Sequence, residues 1–145
     1  MEIKSPVFIN NEEIPFKYSC DGQDISPPLL FKDVPQNAKS LALTVDDPDA
    51  PRGVFVHWIV WNINPKTEGF KEGAVPDGAF QGASGAGRAG YIGPCPPSGT
   101  HRYFFKLYAL NRVLDLEKDS NMEAFQKAIN DCVIEKAELV GLYSR

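Results

Sequence analysis

No stretch of the 145-residue chain is apolar for long enough to cross a bilayer. The longest runs, Val54-Phe55-Val56 and Trp58-Ile59-Val60-Trp61, fall far short of the roughly 20 residues that a spanning helix needs. The start, Met1-Glu2-Ile3-Lys4-Ser5-Pro6, shows no basic region followed by an apolar stretch, so no secretory signal is visible and a cytoplasmic location is expected. Positive charge is also in short supply. Fifteen Lys and Arg face nineteen Asp and Glu, for a net charge of −4, which lacks the broad positive field of a nucleic-acid binder. Cysteine is scarce: three residues, Cys20, Cys95 and Cys132, with no CxxC pair. An odd, scattered set argues against both a disulfide framework and a structural zinc site. There is no internal repeat and no break in composition, so a single domain over residues 1–145 is expected.

What the chain does have is 12 Gly and 12 Pro against 43% hydrophobic residues, the make-up of a globular protein that turns often. The clearest strand is Val54 to Ile63. Strict alternation would put Phe55, His57, Ile59, Trp61 and Ile63 on one face, and both faces are largely apolar, so a central strand covered on both sides is expected. Leu41 to Asp46 and His101 to Leu110 read as two more strands, and a last one runs about Glu138 to Tyr143. In the third of these, His101, Tyr103, Phe105 and Leu107 share a face. One helix is signalled near residues 121 to 131: Ser120-Asn121-Met122-Glu123 has capping-box form, and Met122, Phe125, Ile129 and Cys132 follow at helical spacing. The sum is a mostly antiparallel β fold.

A segment from Asn64 to Pro97 is heavy in Gly and Pro and carries little periodicity. Within it Gly85-Ala86-Gly87-Arg88-Ala89-Gly90 matches GxGxxG, but no strand precedes it and no helix follows, as a dinucleotide fingerprint requires. The match is accidental.

Both histidines, His57 and His101, fall on strands otherwise built from apolar side chains. A single strand histidine is most often structural. Two of them beside the proline-stiffened loops Asp46-Asp47-Pro48-Asp49-Ala50-Pro51 and Gly93-Pro94-Cys95-Pro96-Pro97-Ser98-Gly99 change that weighting, since such loops hold backbone donors in fixed directions. Imidazole and phenol donors beside them make an anion pocket. Asp47, His57 and His101 also admit a two-histidine, one-carboxylate metal enzyme, and Cys95 with His101 a nucleophile pair. Neither HxD nor HxxxH spacing supports the metal, and no GxSxG elbow supports a serine hydrolase, so Ser84 and Ser98 read as turn formers. No metal or cofactor is expected. Arg102 lies on the opposite face from His101 and Tyr103, and a structural ion pair with Asp49 or Asp46 is expected of it.

Three linked stretches carry a family resemblance: Asp47-Pro48-Asp49-Ala50-Pro51, His57-Trp58-Ile59-Val60-Trp61-Asn62, and Gly93 to Tyr103 (GPCPPSGTHRY). Together they resemble the signature of the phosphatidylethanolamine-binding protein family, in the form of its prokaryotic, Raf kinase inhibitor-like branch. The resemblance implies an antiparallel β-sandwich with one or two short helices and a small pocket for phosphate or similar anions. Carried over residue by residue, Asp47, His57, His101 and Tyr103 would line the pocket, with Pro51, Cys95 and Pro96 at its rim. It also implies a cis peptide at Ala50-Pro51, an anionic or phosphorylated small ligand or side chain as partner, a regulatory role such as inhibition of a kinase or serine protease, and a homodimer. Eukaryotic relatives carry a C-terminal helix beside the cavity, whereas this sequence stops shortly after its last strand, so a more open pocket is expected. Prokaryotic relatives carry Asn where Ser84 stands.

Overall fold

The computed structural model describes residues 1–145 throughout. Its longest strands are β4 (Ser40–Asp47), β5 (Phe55–Ile63), β8 (Thr100–Leu110) and β9 (Val133–Ser144). They are joined at the edges by the two-residue strands β2 (Glu12–Glu13) and β7 (Phe80–Gln81) into a six-stranded sheet of order β2-β9-β8-β4-β5-β7. All pairings in it are antiparallel except β2 with β9. A second sheet of order β1-β3-β6 is built from Glu2–Lys4, Leu29–Lys32 and Gly69–Phe70. Apolar side chains from both sheets, among them Ile3, Phe31 and Phe70 on one side and Leu43, Val60, Phe105 and Leu107 on the other, share one buried cluster. The protein is an antiparallel β-sandwich, as expected.

Helix α1 (Met122–Ile129) covers the outer face of the larger sheet, where Phe125 and Ile129 pack on Ala42, Ile59, Trp61 and Leu110. The helix is capped one residue later than the capping-box pattern indicates. Asn121 Oδ1 accepts the Ala124 N–H at 3.0 Å, while the Ser120 hydroxyl turns back to the Glu117 carbonyl.

Central position belongs to β4, not β5. All eight β4 residues are buried, because Leu41, Leu43 and Val45 enter the sandwich while Ala42 packs under the helix. The β5 strand is covered on both faces but has only β7 beyond it, and the Gly-rich segment completes its edge: the N–H groups of Gly82, Gly85 and Ile92 donate to the carbonyls of Ile59, Val56 and His57. Side chains are unwelcome along that seam. A Cβ on Gly85 would come within 2.7 Å of the Phe55 ring, so the glycines of the GxGxxG match serve close backbone packing and turning.

The alternation expected of β5 fails at two points. Its pairing with β4 slips by one residue between Val45 and Asp46 and again between Leu41 and Leu43. Each slip inserts an extra residue in β5, and the second places Asn62 at φ 53°. As a result Trp58, Val60 and Ile63 enter the sandwich core, whereas Ile59 and Trp61 lie under the helix. A period-2 reading has no means of seeing bulges.

Candidate functional site

The first slip in β5 leaves His57 without a partner on β4, since Trp58 pairs with Val45 and Val56 with Asp46. A bulged residue is free to turn its side chain. His57 turns onto the same side as Phe55, whose ring lies 4.9 Å away. Asp47 ends β4 and His101 stands near the start of β8, so three strand ends bring Asp47, His57 and His101 to one cavity of about 210 Å³. Pro51, Cys95 and Pro96 lie in its wall, together with Ala50, Phe55, Ile92 and Pro97.

Hydrogen bonds orient both rings. His57 Nδ1 is 2.7 Å from the Ile92 carbonyl oxygen. A carbonyl only accepts, so Nδ1 carries the proton and Nε2 is left for the cavity. His101 Nδ1 donates to Asp47 Oδ2 at 2.7 Å, and the other Asp47 oxygen accepts the Asp49 N–H at 2.8 Å. Asp47 and the two histidines are all buried, at 3%, 5% and 7% exposure, which makes these bonds the only positioning the rings have from polar groups. Burial lowers the His57 pKa, and the hydrogen bond to the Ile92 carbonyl and the charges of Asp47, Asp46 and Asp24 only partly offset it.

Tyr103 departs from expectation. It does not line the cavity but lies beneath it, 1% exposed, with its ring edge-on to His57 at 5.2 Å. Its hydroxyl is buried without a hydrogen bond of good geometry. Burial, with the Asp47 charge nearby, raises its phenol above the ordinary tyrosine range, so it remains neutral.

The loop bearing Asp47 is clamped from outside. Arg102 donates from Nε and a terminal nitrogen to both Asp49 oxygens at 2.9 and 2.8 Å, and its backbone N–H adds a third bond at 2.9 Å. The expected ion pair is present, with Asp46 instead taken by Lys106 at 3.1 Å. The expected cis bond is not: every peptide, including Ala50-Pro51, is trans.

The cysteine reading is corrected too. Cys95 is bonded to Cys20, with Cα atoms 5.5 Å apart at a sequence separation of 75, leaving only the buried Cys132 free. The same two segments are tied by Tyr91 Oη donating to the Tyr18 carbonyl, the Gly93 N–H to Asp24 Oδ1, and the Cys20 N–H to the Pro94 carbonyl. An odd count excludes a full framework, not one bridge. The loop approach that permits it is set by tertiary structure and leaves no trace in cysteine spacing. Nor did residue type point to the Ile92 carbonyl, a backbone group that any residue supplies.

Ser84 is a turn former: its hydroxyl accepts the Ala86 N–H at 3.2 Å. No helix of the protein is long and apolar enough to cross a membrane.

A UPF0098 protein of Methanothermobacter thermautotrophicus is 50% identical over 150 residues, covering 100% of this chain and 99% of its own. A crystal structure of a phosphatidylethanolamine-binding protein homolog from Chlamydia trachomatis superimposes with a TM-score of 0.96 at 45% identity, over 99% of this chain and 97% of that one. Escherichia coli YbcL, described as a member of the mammalian family, superimposes at 0.93 with 31% identity over 99% and 98% of the two chains. The family model for phosphatidylethanolamine-binding proteins matches residues 4–144, and the chain belongs to that family.

Proposed function

We propose that this protein is a binding module for small phosphoryl-type oxyanions, free or carried on a partner, and that the cavity of Asp47, His57 and His101 is its ligand site. One observation carries the reading. Two imidazoles, each anchored through Nδ1, leave their Nε2 atoms to one small, mostly apolar cavity. A protonated ring there donates a charge-assisted hydrogen bond to an anion, and Asp47 steadies the His101 ring against the ligand's pull. Binding rather than turnover fits the lining. The one sulfur in it is tied up in the disulfide, and no hydroxyl stands beside the Asp47–His101 pair to act as a nucleophile. In this reading the protein regulates by occupancy: it captures a phosphorylated molecule or side chain, in the manner of an inhibitor of a kinase or protease.

Calorimetric titration with phosphoethanolamine at pH 6 and pH 8 tests it. Affinity should be higher at pH 6, because ring protonation adds a donor. Loss of a charged donor costs about 1.5–3 kcal/mol, so His101→Ala should weaken binding roughly 10- to 100-fold. Equal affinity at both pH values together with an unaffected His101→Ala variant would make the histidines structural.

A further inference from the structure

Polar side chains are few in the cavity. Of the residues that line it, only Asp47, His57 and His101 bring a polar side chain. Pro51, Pro96 and Pro97 have no N–H to offer, and the Ile92 N–H is spent on the His57 carbonyl at 3.0 Å. Both ring Nδ1 protons are spent as well, on the Ile92 carbonyl and the Asp47 carboxylate. A neutral ring fixed in this way shows the cavity a lone pair at Nε2. A bare oxyanion set against such a nitrogen meets an acceptor, whereas a protonated oxyanion meets a partner.

The surroundings of the two rings differ. A charge on His101 has the Asp47 carboxylate against it, with the Asp49–Arg102 pair just outside. His57 has no ionic partner in contact: Ile92 is its hydrogen-bond partner, and the Phe55 and Tyr103 rings stand against it at 4.9 and 5.2 Å. Asp47, Asp46 and Asp24 act on it only at longer range, and burial outweighs them in favour of the neutral ring. One ring is therefore suited to donate and the other to accept.

Building on the anion-binding reading above, we propose that the cavity selects oxyanions that still carry a proton, namely inorganic phosphate and phosphate monoesters in their hydrogen-bearing forms. The P–OH donates to Nε2 of neutral His57, and Nε2–H of charged His101 donates to a second phosphoryl oxygen. The cavity volume, about 210 Å³, accommodates one phosphoryl group and a small substituent. Sulfate and phosphate diesters, including the diester of an intact phospholipid headgroup, lack the proton. They leave the buried His57 acceptor unpaired, and a site built around a ligand hydroxyl rejects the analogue without it.

The test is calorimetry at pH 6.5 with inorganic phosphate, methyl phosphate, dimethyl phosphate, glycerophosphoethanolamine and sulfate. Inorganic phosphate and methyl phosphate should bind at least about 10-fold more tightly than the other three. His57→Gln puts an amide able to donate in place of the bare nitrogen, and should bring sulfate to within about 3-fold of phosphate. A second readout needs no variant: in ¹⁵N NMR of the wild-type protein, His57 should remain the neutral Nδ1–H tautomer with phosphate bound at pH 6.5. Sulfate or a diester binding as well as phosphate, or His57 becoming charged on phosphate binding, would overturn the selectivity while leaving the anion site standing. Binding of none of the five would overturn both.

Discussion

The Asp49 carboxyl is pulled down to about 2 by the hydrogen bonds it accepts from the Arg102 side chain and backbone. Its ionised form is favoured by the fold, so it contributes stability above the unfolded value near 3.9, and that contribution fades as pH falls towards 2. Arg102 is half exposed, so solvent screens the pair and it stabilises the fold only weakly despite its good geometry. Denaturant midpoints should show Arg102→Ala slightly less stable than the parent at pH 7, with the gap closing between pH 4 and pH 2. His57 works the other way. Burial lowers its pKa, so the unfolded chain takes up the proton first and stability falls as pH drops below about 6.5. His57→Gln should show a flatter decline in midpoint from pH 7.5 to pH 5 than the parent. At this scale the sequence was informative where side chains of opposite charge had to meet, as with Arg102 and Asp49. It was silent where a backbone carbonyl, that of Ile92, decides a ring's tautomer.

Among the elements, the segment from Tyr91 to Cys95 matters most to the cavity, because it supplies Ile92, which fixes the His57 ring, and Cys95 in the wall. Its attachment to residues 18–24 rests on three hydrogen bonds and the Cys20–Cys95 bridge. A cross-link spanning 75 residues removes much of the unfolded chain's freedom and is typically worth about 2–4 kcal/mol. For a protein of this length that corresponds to roughly 5–15 °C in the melting temperature. Calorimetric scans of Cys20→Ser, or of the wild type with a reducing dithiol, should show a loss of that size, and an unchanged melting temperature would mean that the bridge contributes nothing. The hydrogen bonds at Tyr91, Gly93 and Cys20 should hold the segment in place, so the reduced protein should still bind phosphate. The β8 alternation, with Tyr103, Phe105 and Leu107 inward, was legible because no bulge interrupts it. The β5 alternation was not, because its two extra residues are accommodated by pairing with β4, a tertiary circumstance with no local signature beyond the turn-tolerant Asn62.

At the scale of the whole molecule, the cavity is where three strand ends and two proline-rich loops converge, so a ligand held there would be coupled to the integrity of the sandwich. Those three motifs made the family legible, and with it the sandwich and the cavity. What they did not carry is which residue lines the cavity: Tyr103 belongs to the motif yet is not in the lining, because β8 alternation sends it into the core. The coupling gives a final expectation. A ligand that binds only the folded state raises stability by about 2.7 kcal/mol at a concentration one hundred times its dissociation constant. At about 2–4 °C per kcal/mol, saturating phosphate should raise the melting temperature by roughly 5–10 °C near pH 6. At pH 8 both the ligand's proton and the ring's charge are scarcer, so the same phosphate concentration should raise it by much less. Chloride or sulfate at matched ionic strength controls for screening and surface exclusion, which act at either pH. His101→Ala should remove most of the phosphate-specific increment at pH 6; because it also leaves the buried Asp47 carboxylate without its imidazole partner, each protein's increment is measured from its own ligand-free melting temperature. A phosphate increment equal at pH 6 and pH 8, or retained in full by His101→Ala, would place the stabilising anion elsewhere on the molecule.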